Sequence, residues 1–160
     1  MATPLSHLIA EQVEQARALA HRLVLLVGPP RCGRTTVLRD LHEKHGWPLV
    51  NLNRMLSQRL LDLAAKRRAL RTAEIVDDIV REQEGDVVLL DNIEMLFHPD
   101  LQQHPLRLLQ SLSRNRTIVA AWRGQYAGSW LVYAAPDHPE FCRFEHPEAL
   151  IVPCGDEPGA

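Results

Sequence analysis

Apolar positions change their spacing several times along this chain, and each change marks an element. Leu5, Leu8, Ile9, Val13, Ala16, Leu19 and Ala20 recur at intervals of three and four, predicting an amphipathic helix from Leu5 to about Arg22 that packs by one face. The pattern switches at Leu23–Val27 to an unbroken apolar run stopped by Gly28-Pro29-Pro30, as in a buried strand that ends in a turn. Helical spacing resumes from Gly33 to His45, with Val37, Leu38 and Leu41 inward and Gly46 as the stop signal. Trp47–Asn53 reads as a second short strand. Arg54–Arg67 and Thr72–Gln83 both carry helical periodicity, with Thr72 the expected N-cap of the second. Asp86–Asp91 is a third buried strand that ends in an acid, and Pro105–Asn115 is a further helix. Thr117–Trp122 and Trp130–Ala135 are expected as the fourth and fifth strands.

Strands that alternate with helical segments predict an α/β fold: a five-stranded parallel sheet with helices on both faces. The chain divides into an N-terminal helix packed on the domain (1–22), a core (23–135) and a proline-rich C-terminal extension (136–160). The last eight residues of that extension are expected to be disordered.

Composition narrows the setting. The content of 46% hydrophobic and 24% charged residues, with a formal net charge of -2, exerts no global pull toward nucleic acid or membrane. The three cysteines, Cys32, Cys142 and Cys154, are odd in number and scattered, which favours a reduced, cytoplasmic setting over a disulfide framework. No run approaches the roughly 20 apolar residues of a membrane span, and the start lacks the basic and apolar regions of a signal peptide. The eight histidines include no metal-binding spacing.

Chemistry concentrates at Gly28-Pro29-Pro30-Arg31-Cys32-Gly33-Arg34-Thr35-Thr36, between a buried strand and a helix start. In that context, glycines at the first and sixth positions let backbone N–H groups wrap phosphate oxygens, and the helix N-terminus adds partial positive charge. The Thr35 hydroxyl is a candidate ligand of Mg²⁺. The third strand ends at Asp91, which places a carboxylate at the C-terminal edge of the sheet as the second candidate for holding Mg²⁺.

These residues resemble the phosphate-loop NTPases, specifically the additional-strand ATPases related to the AAA+ class, over Leu23 to Ala135. At finer grain the layout resembles the BrxF family of small P-loop proteins from type 3 BREX phage-defence systems. That likeness rests on "WPLVNLN" followed by "LSQRLLDL", "LLDNIEMLF", and the late "VAAWRG" and "YAAPDHPEF". It implies ATP and Mg²⁺ as cofactors, homo-oligomers, partner proteins of a defence complex, and contact with DNA. The remaining length leaves no room for a helical lid domain.

Three departures from an active ATPase pattern stand out. Arg34 occupies the position of the usual lysine, keeping the charge but replacing a compact ammonium with a planar fork. Asn92 stands where hydrolytic members carry a glutamate; an amide orients water but cannot take its proton. Glu94 is off phase for a strand, so it is expected to be a solvated loop acid unless the chain turns there. Where a polar γ-phosphate sensor is usual, Ala121 and Trp122 supply none, leaving Arg123 as the nearby cation.

Two basic clusters complete the candidates. Lys66, Arg67, Arg68 and Arg71 are the candidate DNA contacts, if they share a face. Arg114 and Arg116 are the candidates for completing a neighbouring protomer's site as arginine fingers. The expectation is a nucleotide-binding module with weak or partner-dependent ATPase activity. Two alternatives stay open: an assembly protein whose Arg34 fills the phosphate site, and a small-molecule or nucleotide kinase.

Overall fold

The computed structural model describes residues 4–155. The elements run α1 (Leu5–Ala16), β1 (Leu23–Gly28), α2 (Arg34–His45), β2 (Leu49–Asn51), α3 (Leu52–Leu60), α4 (Ala65–Arg81) and β3 (Val87–Asp91). Two 3-10 turns, Glu94–Phe97 and Pro99–Leu101, then lead to α5 (Pro105–Leu112), β4 (Thr117–Ala127), β5 (Trp130–Tyr133), β6 (Cys142–Glu145) and β7 (Leu150–Pro153).

Five strands pair in the order β2-β3-β4-β1-β7, all parallel. The predicted α/β fold with a five-stranded parallel sheet is therefore present, with β4 inserted between β1 and β3. Every residue of β1 and of β3 is buried, which is why both read as continuous apolar runs rather than alternating ones. Successive side chains point to opposite faces. Leu23, Leu25 and Val27 join Val88, Leu90 and Trp122 beneath α3, α4 and α5. Val24, Leu26, Leu89 and Val119 meet Ile9, Val13, Leu38 and Leu41 of α1 and α2 on the other face. Burying each such aliphatic side chain contributes about 1.5–3 kcal/mol.

The fifth parallel strand is not Trp130–Ala135, as the apolar pattern suggested. Only Gly128 and Ser129 separate β4 from β5, and so short a connection can return the chain only antiparallel. β6 then pairs antiparallel with β5. The outer parallel strand is β7, from inside the proline-rich stretch; it pairs with β1 from Val24↔Leu150 to Val27↔Pro153. Pro153, which lacks an N–H, sits at the end of this edge strand. Of the residues expected to be disordered, Pro153 thus ends a strand and Cys154 is buried, while 156–160 lie outside the described residues.

Helix ends differ from the periodicity where burial stops. α1 ends at Ala16 because Arg17 to Ala20 face solvent, giving no core contact to extend it. Thr72 is not an N-cap but lies buried within α4, its hydroxyl donating to the Arg68 carbonyl one turn back at 2.6 Å. Asn51 caps α3 instead, its side-chain oxygen accepting from the Arg54 N–H. No helical lid is present among the described residues.

Candidate functional site

The loop after β1 is shaped by two glycines. Gly33 is left-handed (φ 99) and stands as the N-cap of α2, without a side-chain cap bond and with no acid in the helix's first turn. The free N–H groups there are therefore available to an anion. At Gly28 a Cβ would fall 2.5 Å from the Cys154 carbonyl oxygen and 2.6 Å from the Cys32 sulfur, so no larger residue fits. Arg31 also has positive φ (67), an unfavourable conformation for its type, held by the loop's closure. Pro29 and Pro30 are exposed on the crown.

The loop and the end of β3 meet directly. The Thr35 Oγ1 hydroxyl donates to Asp91 Oδ2 at 2.7 Å, and Asp91 Oδ1 accepts from the Asn92 N–H at 2.9 Å. Asp91 is buried while Thr35 is exposed, so a buried carboxylate is presented to the surface through a hydroxyl. A hydroxyl and a carboxylate are hard oxygen donors, a set that suits Mg²⁺ when phosphates and water supply the remaining ligands.

Around this pair lies a cavity of about 250 Å³, with Arg31, Gly33 and Arg34 on one side and Asp91, Asn92 and Glu94 on the other. Arg34 is half-buried in its wall. Glu94 is not the solvated loop acid that strand phase implied. Asn92 takes a left-handed conformation (φ 53), which asparagine tolerates better than most residues, and the chain passes at once into the 3-10 turn that starts at Glu94. Strand phase ends at Asp91, and Glu94 returns half-buried to the cavity. Burial pushes its carboxyl above the ordinary glutamate value of 4.5; the Arg34 guanidinium and local backbone N–H groups pull it down, and the Asp91 charge adds to the rise.

A second cavity, of about 570 Å³, shares Asn92 and Glu94 with the first and is lined further by Asn53, Arg54, Ser57 and His98. Its floor is tied to β3: the Asn53 N–H donates to the Asn92 carbonyl and its side-chain oxygen accepts from the Met95 N–H, both at 2.8 Å. Sequence reasoning missed this neighbour because Asn51 and Asn53 read only as the end of a strand.

The position of the usual phosphate sensor serves the core. Trp122 is fully buried, its indole N–H donates to the Val132 carbonyl at 3.0 Å, and its ring meets Phe97 edge-on at 5.1 Å. Arg123 pairs with Gly28 in the sheet register, at the root of the loop, but does not line the cavity beside Thr35 and Asp91. Thr36 lies in the exposed first turn of α2, and Cys32 packs half-buried against Cys154.

Other sequence candidates lie elsewhere. Arg114 and Arg116 precede the first residue of β4, at the opposite end of the sheet from Asp91, roughly 20 Å of strand away. Arg116 Nη1 donates to the Val80 carbonyl at 2.7 Å and so satisfies the last turn of α4, while Arg114 lines a separate groove beside α5. Neither lines the cavity beside Thr35 and Asp91. The cluster in α4 does not form one free basic face. Arg68 donates to the Leu60 and Leu63 carbonyls at the end of α3, and Arg71 pairs with Glu74, leaving Lys66 and Arg67 exposed. Among the described residues there is no cluster able to hold a metal through three His, Cys, Asp or Glu side chains, and no helix long and apolar enough to cross a membrane.

The match to a family model agrees with this geometry. The model of the ATPase family associated with various cellular activities (AAA) matches residues 24–121, which run from β1 through the phosphate loop and Asp91 into β4. The solved structure of C. elegans PCH-2 aligns over 73% of this chain at 18% identity and a TM-score of 0.34. This chain spans only 34% of that protein. No curated protein matches the sequence. Because the matched region exceeds half of the 160 residues and contains both the loop and the acid it meets, the chain belongs to the AAA family of ATPases.

Proposed function

We propose that this chain binds Mg-ATP at Gly28–Thr35 and hydrolyses it slowly, or at useful rates only with a partner's help. The observation that carries the reading is the 2.7 Å hydrogen bond from Thr35 to Asp91, which joins two motifs far apart in sequence at the mouth of one cavity. Loop N–H groups and Arg34 would hold the phosphates. Thr35 and Asp91 would hold Mg²⁺, which neutralises charge on the phosphates as they separate. Glu94, with its raised proton affinity and its place in the cavity wall, would take the proton of an attacking water that Asn92 orients. Rate is limited by the departures at Arg34 and Trp122.

The Arg34 position tests this assignment. A guanidinium keeps the positive charge but aims its donors differently from an ammonium, and a lost charge-assisted hydrogen bond costs about 1.5–3 kcal/mol. Arg34→Lys is expected to tighten ATP binding by about tenfold, as read by fluorescent-nucleotide titration. Unchanged or weaker binding would mean that arginine is the fitted residue.

The setting comes from the resemblance to BrxF proteins: a homo-oligomer working with other proteins of a BREX defence complex, in contact with DNA. For DNA, the exposed Lys66 and Arg67 are the supporting surface. Sedimentation with and without Mg-ATP checks the assembly. Nucleotide is expected to shift the chain to a larger species, and a monomer under both conditions would remove oligomerisation from the proposal.

The adjoining cavity supports a second reading, transfer of the phosphoryl group to a small hydroxyl compound bound among Asn53, Arg54 and Ser57. ADP release that depends on an added acceptor, rather than on water, would favour it.

A further inference from the structure

Two of the three cysteines meet behind the phosphate loop. Cys32 stands on the loop and Cys154 follows β7, joined to the strand ladder by its N–H bond to the Val27 carbonyl at 2.7 Å. The Cys154 thiol donates to the Cys32 carbonyl at 3.3 Å. The Cys32 sulfur and the Cys154 Cβ both lie within 3.1 Å of the point a Cβ on Gly28 would occupy, and a Cβ on Gly155 would stand 2.9 Å from the Cys32 Cβ. Glycines at positions 28 and 155 thus leave Cys32 and Cys154 packed against each other, with no room for a Cβ on Gly28 between the Cys32 sulfur and the Cys154 Cβ. Both are free, and Cys142 lies apart on β6.

We propose that Cys32 and Cys154 form a dithiol latch, which hydrogen peroxide closes into a disulfide that pins the phosphate loop to the end of β7. The half-buried Cys32 reacts first. Its thiolate sulfur attacks a peroxide oxygen, the O–O bond breaks, and hydroxide leaves, giving a sulfenic acid. The Cys154 sulfur then attacks the Cys32 sulfur; the S–S bond forms, the S–O bond breaks, and the oxygen departs as water. Two electrons pass from two thiols to one peroxide, yielding one disulfide and two waters.

The order follows from exposure. Cys154 is buried, and its pKa is pushed up to about 12 by burial and by the neighbouring Cys32 thiol, so it serves as the resolving partner rather than the first nucleophile. Thiols in a reducing compartment rest reduced, and disulfides that form there transiently are regulatory. Closing the bond draws the sulfurs to about 2.05 Å and Cys32 toward β7, which shifts the turn closed by the Cys32 N–H bond to the Pro29 carbonyl at 3.3 Å and, with it, the adjoining loop at Gly33 and Arg34 that lines the cavity. The chemistry of the latch stands independently; only its effect on nucleotide rests on the proposed function.

The test treats the full chain with peroxide and follows it by peptide mass mapping, by hydrogen exchange of the loop amides and by ATP titration. A Cys32–Cys154 linkage reversed by dithiothreitol is expected, with loop exchange slowed and ATP affinity lowered by about tenfold. Cys142→Ser should retain all three effects. Cys154→Ser, which keeps a donor for the Cys32 carbonyl, should lose them. Oxidation of Cys32 to a sulfinic acid without linkage, linkage to Cys142, or a linkage that leaves loop exchange unchanged would each overturn the latch. If the reduced chain fails to bind ATP, the proposed function fails, and linkage and exchange still decide the latch.

Discussion

Asp91→Ala is expected to make ATP binding indifferent to magnesium. In the intact chain the Asp91 carboxylate accepts from the Thr35 hydroxyl and the Asn92 N–H, so it fixes the direction in which the hydroxyl presents its oxygen. Removing such a partner from a metal ligand lowers metal affinity about 10- to 100-fold, and the carboxylate's own charge is lost as well. The fold should survive, because Thr35 is exposed and water can replace its acceptor, while the sheet around Asp91 is held by apolar residues. Titrating ATP with Mg²⁺ and again with chelator should separate the curves for the wild type and superimpose them for the variant. Equal Mg²⁺ dependence in both proteins would sink the role given to Asp91.

The second large effect is expected at Glu94. An amide of the same shape cannot accept a proton, so Glu94→Gln should lower turnover by about 10²- to 10⁴-fold while leaving ATP affinity nearly unchanged. The pH profile supplies an independent signature. The carboxyl must be ionised to act as a base, and burial raises its pKa above 4.5, so turnover falls as pH drops through that raised value. The rate is sustained above it, where the group is charged. The acid limb should disappear in the glutamine variant, leaving a low, flat rate. Retained turnover would move the base elsewhere, and a matched loss of affinity would make Glu94 a binding group instead.

Much of this site was legible because its parts are carried by local pattern. A buried run ending in Gly28, a second ending in Asp91 and a helix start at about Gly33 each declare themselves within a few residues, and a parallel sheet brings the C-terminal ends of the two strands together. What escaped depended on geometry that periodicity does not encode. Glu94 was misplaced because a left-handed Asn92 cancels strand phase in one step. The Gly128-Ser129 turn forbids the parallel pairing that the apolar run Trp130–Ala135 suggests by itself. β7 was hidden because the run Ala149–Val152 sits among prolines, although an edge strand needs few ladder bonds and tolerates Pro153 at its end. Arg68 and Arg116 looked like free charge in one dimension, but they are engaged with carbonyls that the fold brings near, while Arg71 pairs with Glu74 one helical turn on.

The central claim is that the loop and Asp91 together form a site for Mg-ATP. Equilibrium dialysis of ATP against the reduced wild-type chain, with Mg²⁺ present and then chelated, tests it most directly. The account predicts saturable binding of one nucleotide per chain that weakens when Mg²⁺ is removed. Absence of binding under both conditions, with the chain folded, would contradict it.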